Sequence, residues 1–309
     1  MIEETTDALI STYLQHCQIE KRLSQKTIKA YRIDLLQFSR YIGCDLYACD
    51  KVTIQNYLSL LHNQYKVRTV KRKIASLKAF FTYLVDEEII FSNPFEKLRI
   101  KLHEPFLLPK MIPLSTIDLI LQHAYKKKNS FCSKSSYPYK ICLRDIAVLE
   151  LLFATGMRVS ELCSLGSDAI DLKNGAIKIY GKGSKERIIQ VGNPDVLFAI
   201  STYYNAFSRK IREIGWFFVN RLGNPLSAQS VRNMINMYVE LAGIDQHITP
   251  HMFRHSFATL LLEEDVDIRY IQQLLGHSSI TTTQIYTHVT SKKQRDILAN
   301  KHPRNKITL

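Results

Sequence analysis

Proline placement constrains this chain more than any other feature. Asn93-Pro94 is followed by Pro105, Pro109 and Pro113. A proline pushes the residue before it out of the α region, and its ring removes a backbone donor, so no helix runs through such a stretch. Asn93-Pro94 is therefore expected to stop the last helix of a first unit. A linker is expected at about 100–110, where the sequence becomes proline-punctuated. The length of 309 residues agrees, being more than one typical domain needs. The expected division is a first domain over 1–104 and a second, larger domain over 110–309.

Composition excludes several classes. Hydrophobic residues make up 46% and charged residues 23%, which is enough apolar surface for real cores and rules out a disordered chain. No run approaches the roughly 20 apolar residues of a membrane span. The start, Met-Ile-Glu-Glu, lacks the basic and apolar regions of a signal peptide. A cytoplasmic protein without membrane contact is expected. Its six cysteines, at 17, 44, 49, 132, 142 and 163, form no C-x-x-C pair and read as small buried hydrophobes. Lys and Arg total 42 against 28 acids, a net charge of +14, and the pI is near 9.4. A polyanionic partner follows from that balance.

The charge is unevenly spread. Residues 1–104 carry 16 cations and 12 acids, while 105–309 carry 26 and 16. Yet the most polarised stretch lies in the first part: Lys51 to Val85 holds seven cations and no acid. Within it Val70, Ile74, Leu77, Phe81 and Leu84 recur in steps of four, three, four and three, the spacing of one helical stripe. Arg68, Lys71, Arg72 and Lys78 fall away from that stripe, as a row of cations suited to DNA phosphates. An earlier helix starts at Ser24, a good N-cap, carries Ile28, Tyr31, Leu35 and Phe38 on one face, and ends near Gly43. The first unit reads as all-helical.

The second part begins with a helix near Ser115–Ala124. A polar, basic stretch over about 125–142 reads as a long loop. An apolar helix over 143–154 ends at Thr155-Gly156. From 169 to 191 the period changes to two: Asn174-Gly175 is a strong hairpin turn, and 176–180 and 187–191 alternate as strands. The rest is mainly helical. The fold class is mainly α with a small antiparallel β-sheet in the second domain.

Four clusters stand out. In Thr155-Gly-Met-Arg158-Val-Ser-Glu161 a glycine ends one helix and an arginine opens the next, where free N–H groups add to its pull on an anion. Gly181-Lys182-Gly183-Ser-Lys185-Glu-Arg187 places a lysine in a turn between two strands. In Thr249-Pro250-His251-Met-Phe-Arg254-His255, threonine and proline open a helix, with His251 and Arg254 one turn apart and Phe253, Phe257 and Leu261 on the opposite face. His247, His251 and His255 are spaced by four, but Pro250 separates His247 from that helix and no carboxylate completes a zincin pattern, so no metal is assigned. Lastly, Leu275-Gly276-His277 marks a helix end, and Tyr286 follows nine residues later.

Two arginines, a lysine, two histidines and a tyrosine suit phosphoryl transfer without a metal. Arginines bind phosphate oxygens bidentately and offset the transition-state charge, and a tyrosine hydroxyl can attack. A phosphotyrosine link would conserve the phosphodiester bond energy, so no ATP site and no cofactor is expected; the chain has no Walker A pattern.

The order Arg158, Lys182, His251-x-x-Arg254, His277, Tyr286 resembles the active site of tyrosine recombinases. The words ATGMRVSELCSL, GKGSKER, HMFRHSFATLLLE and IQQLLGHSSITTTQIYTH, with the tail HPRNK, resemble the bacterial Xer branch, and LSQKTIKAYRIDLLQFSRYI is similar to that family's N-terminal core-binding domain. The resemblance implies a two-domain, C-shaped clamp around double-stranded DNA carrying a specific recombination site. It implies that Arg158 and Arg254 clamp the scissile phosphate, Lys182 is general acid to the leaving 5′ oxygen, His251 assists proton transfer and His277 hydrogen-bonds the phosphate. Tyr286 would form a 3′-phosphotyrosyl bond, Glu161 would orient the catalytic side chains, and the segment after Tyr286 would dock on a neighbour. It further implies a tetramer on DNA with a second related recombinase, resolution of chromosome dimers at cell division, and contact with a divisome DNA translocase. A mobile-element integrase or excisionase is the runner-up, although many of these carry an extra N-terminal arm-binding domain and this chain starts almost at once with the core-binding one. A type IB topoisomerase shares the chemistry without exchanging strands, and a non-catalytic DNA-binding protein would explain the charge but not Tyr286 with its partners.

Overall fold

The computed structural model describes residues 5–43, 46–96, 98–100, 102, 110–180, 186–276 and 298–307. The chain divides into two compact units, Met1–Leu107 and Leu108–Leu309.

The first unit holds four helices among its described residues: α1 (Thr6–Ile19), α2 (Gln25–Tyr41), α3 (Lys51–Gln64) and α4 (Val67–Asp86). Side chains of Thr5, Ser24 and Asp50 accept backbone N–H groups at the starts of α1, α2 and α3, satisfying donors that a helix leaves free. The stripe of α4 is buried throughout, from Val70 to Leu84, and packs with Phe38 and Tyr57 into an aromatic core. Two expectations are corrected here. Helix α4 stops at Asp86, well before Asn93-Pro94, because Glu88 turns left-handed (φ 58°) and the Ile89 N–H bonds back to the Leu84 carbonyl. Asn93 instead makes a local turn, its side chain accepting the Phe95 N–H at 2.9 Å. The row of cations on α4 is also not wholly free. Asp34 of α2 is buried and receives Lys73 at 2.8 Å together with Arg72. Arg68 and Lys78 are exposed, with the Lys78 ammonium 5.9 Å from the Phe95 ring centre, and Lys71 is half-buried.

The second unit is built around α6 (Tyr137–Thr155), which is buried almost continuously from Cys142 to its end. A helix apolar on all sides belongs inside a domain. Around it lie α5 (Leu114–Asn129), α8 (Pro194–Ile214), α9 (Ala228–Leu241) and α10 (Pro250–Glu263). The short α7 (Val159–Cys163) leads to an antiparallel sheet, β1 (Ile170–Asp171), β2 (Ala176–Tyr180) and β3 (Glu186–Gln190), in that order. The Asn174-Gly175 turn joins β1 to β2 as expected, with Gly175 at φ 67° and Asp171 opposite Ala176. Ile177 and Ile179 face inward, paired with Ile189 and Arg187. Helix α11 (Ile268–Leu275) follows α10, and a 3₁₀ turn (Pro303–Lys306) ends the described chain.

The long basic loop expected over 125–142 is largely helix. Helix α5 continues to Asn129, and α6 already begins at Tyr137. Lysine is a good helix former, and Lys126, Lys127 and Lys128 complement the dipole at the last turn of α5. Ser136 then caps α6, with Pro138 in its first turn. The cysteine expectation also needs correction. Cys17 and Cys142 are buried, but Cys49 and Cys163 are only half-buried and Cys132, in the turn after α5, is exposed.

The described part of the tail, residues 298–307, packs on its own unit; residues 287–297 of the segment that the resemblance docks on a neighbour lie outside the described residues. Leu298 joins a cluster with Phe257, Leu261 and Leu275. Arg304, 1% exposed, meets Glu150 in the middle of α6 at 2.7 and 2.8 Å. A Cβ on Gly192 would lie 2.5 Å from the Ala299 backbone nitrogen, so only glycine admits the tail there.

Candidate active site

Three helix ends converge. Gly156 closes α6 in the left-handed region, and a Cβ there would sit 2.5 Å from the Phe257 ring and 3.0 Å from Leu275. Helix α10 and the end of α11 therefore pack directly against the α6 terminus. Arg254 of α10 reaches into this junction and caps both neighbours, donating to the Gly156 carbonyl at 2.9 Å and the Leu275 carbonyl at 2.7 Å. Helix ends leave such carbonyls without intrahelical partners.

Arg158 follows directly at the start of α7. Its backbone N–H and its guanidinium both donate to Glu161, each at 2.8 Å, so the carboxylate fixes backbone and side chain together. The rest of the Arg158 side chain stays accessible, 39% exposed. Arg254 is buried, and α10 is covered on two faces because it lies between α6 and α11; the expected split of Arg254 from an opposite apolar face does not hold. His251, one turn earlier on α10, is exposed.

A residue given no role in the sequence completes the cluster. Arg187 of β3 donates to both Glu161 oxygens, at 3.0 and 2.8 Å, and its Nε donates to the Leu274 carbonyl at 3.2 Å. The legible signal was its register: Arg187 shares the inward face of β3 with Ile189, where an apolar residue is the rule.

The electrostatics follow from one acid among three arginines. Burial alone would raise the Glu161 pKa, but hydrogen bonds from Arg187 and Arg158 overcome it and hold the value at about 2. Burial and then the Arg158 charge lower Arg254 to about 10, which leaves it protonated at neutral pH. A site with three guanidinium cations and one carboxylate keeps an excess positive charge, suited to a phosphodiester. The structure thus brings Arg158, Glu161 and Arg254 together, with His251 on the same helix as Arg254. Lys182, His277 and Tyr286 lie outside the described residues. His277 directly follows Gly276, which ends α11 in the left-handed conformation as expected.

Comparison with known proteins gives the family. Residues 119–293 match the phage integrase family, and residues 10–88 match its N-terminal SAM-like domain. A tyrosine recombinase of Agathobacter rectalis is 54% identical over 299 residues, covering 96% of both chains. The chain belongs to the tyrosine recombinase family.

The recombinase is similar to XerD of Staphylococcus haemolyticus, at 36% identity with 96% of this chain and 99% of that protein covered. XerC of Bacillus subtilis stands at 34%, with 97% and 98% covered. Among solved structures, the fold matches XerH site-specific recombinase bound to difH substrate, with a TM-score of 0.66, 24% identity, and 91% of this chain and 82% of that chain covered. A lambda integrase dimer bound to a COC′ core site also has a TM-score of 0.66, at 19% identity, with 93% and 100% covered. Like other members of its family, the enzyme breaks and rejoins DNA at specific sites. Among its described residues no helix is long and apolar enough to cross a membrane.

Proposed function

We propose that this recombinase cuts double-stranded DNA at a specific site through a 3′-phosphotyrosine made by Tyr286. Arg158 and Arg254 hold the non-bridging oxygens of the scissile phosphate. The Tyr286 oxygen attacks phosphorus as His251 takes the phenolic proton. The bond to the 5′ oxygen breaks as Lys182 supplies a proton to it, and His277 hydrogen-bonds the phosphate. One phosphoester replaces another, so the step needs no ATP and reverses when a 5′-hydroxyl attacks the phosphotyrosine. Glu161 keeps Arg158 aimed.

The observation that carries this reading is the pair Arg158 and Arg254, the first held by Glu161 at the start of α7 and the second, from α10, by the Gly156 and Leu275 carbonyls. In the first domain, Arg68, Lys71, Arg72 and Lys78 face the phosphate backbone. The likeness to proteins named XerC and XerD supports the narrower role: a cytoplasmic enzyme that acts as a tetramer with a second related recombinase and resolves chromosome dimers at cell division. A DNA translocase of the divisome fits as its regulator.

The test is covalent trapping on nicked suicide DNA in excess EDTA without nucleotide. Wild type is expected to give an SDS-resistant protein–DNA band. Tyr286→Phe, which keeps the ring and loses the nucleophile, is expected to bind the site and give none. A covalent band from the Phe variant would remove Tyr286 from this role, and loss of the wild-type band on chelation, restored by a divalent metal, would overturn the metal-independent mechanism.

A further inference from the structure

We propose that Arg187 is a positioning residue for cleavage, fixing Arg158 through Glu161 and tying the exit of α11 to the strand that follows Lys182. The inference rests on the reading of the site given above. One guanidinium makes three donations to two elements: two to Glu161 at 3.0 and 2.8 Å and one to the Leu274 carbonyl at 3.2 Å. Its side chain is only 15% exposed, so water competes weakly for these bonds. The approach to α11 is close, since a Cβ on Gly276 would lie 3.0 Å from an Arg187 terminal nitrogen. Sequence adds the rest of the connection. Lys182 lies five positions before Arg187 in the sequence, and His277 directly follows Gly276. A single side chain therefore links strand β3 to Glu161 of α7 and to the end of α11.

Arg187 also decides how Arg158 is shared. Three cations face Glu161: Arg158 from α7, Arg187 from β3 and, at longer range, Arg254 from α10. Each Glu161 oxygen accepts one bond from Arg187 and one from Arg158, whose share is its backbone N–H and a single terminal nitrogen, so the rest of the Arg158 guanidinium stays open. Without Arg187 the buried carboxylate has, among the described residues, Arg158 as its sole side-chain donor. Arg158 would then be drawn toward Glu161 and away from the phosphate. Burial, which already pushes Glu161 toward its neutral form, would be opposed by fewer hydrogen bonds, so protonation would set in at higher pH.

The experiment compares full-length wild type, Arg187→Gln, Arg187→Lys and Glu161→Gln in single-turnover covalent trapping from pH 5 to 8, with DNA affinity measured by anisotropy. Arg187→Gln is expected to keep its DNA affinity and to lose about 10²-fold in cleavage rate, the scale of removing one preorganised donor. Its acid limb should move to higher pH, and adding Glu161→Gln should abolish that movement. Arg187→Lys keeps the charge but cannot span both oxygens and the Leu274 carbonyl; its acid limb should stay near wild type while its rate falls. If the Gln variant fails to fold, the Lys variant carries the test through its rate: a fall at wild-type DNA affinity supports the inference, and a wild-type rate overturns it. Wild-type rates for both variants would overturn the inference. So would a loss in Arg187→Gln that runs parallel to wild type at every pH, which is what a merely structural role produces. A wild-type enzyme that traps no DNA would instead overturn the reading of the site.

Discussion

Arg304→Met severs the tail's main anchor while keeping the aliphatic stem, so it tests the buried ion pair with little cavity formation. Arg304 is 1% exposed and the Glu150 side chain is fully enclosed, with two guanidinium–carboxylate bonds of 2.7 and 2.8 Å. Tyr125 donates a third bond to Glu150 at 3.0 Å, and this bond survives the substitution. Glu150 sits in the middle of α6 and cannot move to water without disrupting the central helix. Its charge is left unpaired, and breaking a buried pair in this way costs about 3–5 kcal/mol. For a unit of this size each kcal/mol lowers the melting temperature by about 2–4 °C, so a drop of roughly 6–20 °C is expected in the second unit's transition. The reverse perturbation, Glu150→Gln, should cost less. Arg304 lies in a terminal segment that can undock into solvent, so the loss is capped by the free energy of docking the tail. Differential scanning calorimetry gives the melting change, and limited proteolysis of residues 298–307 reports undocking. An Arg304→Met protein that melts within about 1 °C of wild type would refute the argument that this pair holds the domain together.

Three further outcomes are expected. Arg68→Ala and Lys78→Ala should each lower the log–log salt slope of DNA binding by about one unit without changing the melting temperature, since both side chains are exposed; an unchanged slope would show that this face does not track the backbone. Arg72→Ala should in addition destabilise the first unit by about 1–3 kcal/mol, seen in its melting curve, because it removes one of the two cations on buried Asp34. His302 should make the tail acid-sensitive. Burial lowers its pKa from 6.5 to about 3, so between these values the unfolded or undocked chain binds a proton that the folded one does not. Stability therefore falls as pH falls, by about 1.4 kcal/mol per unit until undocking takes over. His302→Asn, whose side-chain oxygen can replace Nδ1 as acceptor for the Arg304 N–H, should flatten that slope between pH 6.5 and 5 in thermal melts; an equal slope would exclude His302 as its source.

The sequence determined what depends on neighbours along the chain. Ser24 as a cap, the Val70-to-Leu84 stripe, the Asn174-Gly175 hairpin and the left-handed ends at Gly156 and Gly276 were all legible, because each rests on contacts within about one turn of helix or strand. The motif order around Arg158 and Arg254 was legible too, through its resemblance to a known family. Tertiary structure alone decided the rest. The cation row of α4 read as free until α2 brought Asp34 against Arg72 and Lys73, from a position 38 and 39 residues away. Arg187 read as part of a basic turn until the sheet turned it inward onto Glu161, 26 residues earlier. Arg304 stood in the sequence only as part of the tail HPRNK, yet it closes the core against a carboxylate 154 residues upstream. A buried charge is tolerable only where its partner arrives, and no local pattern in the chain records which distant segment will bring it.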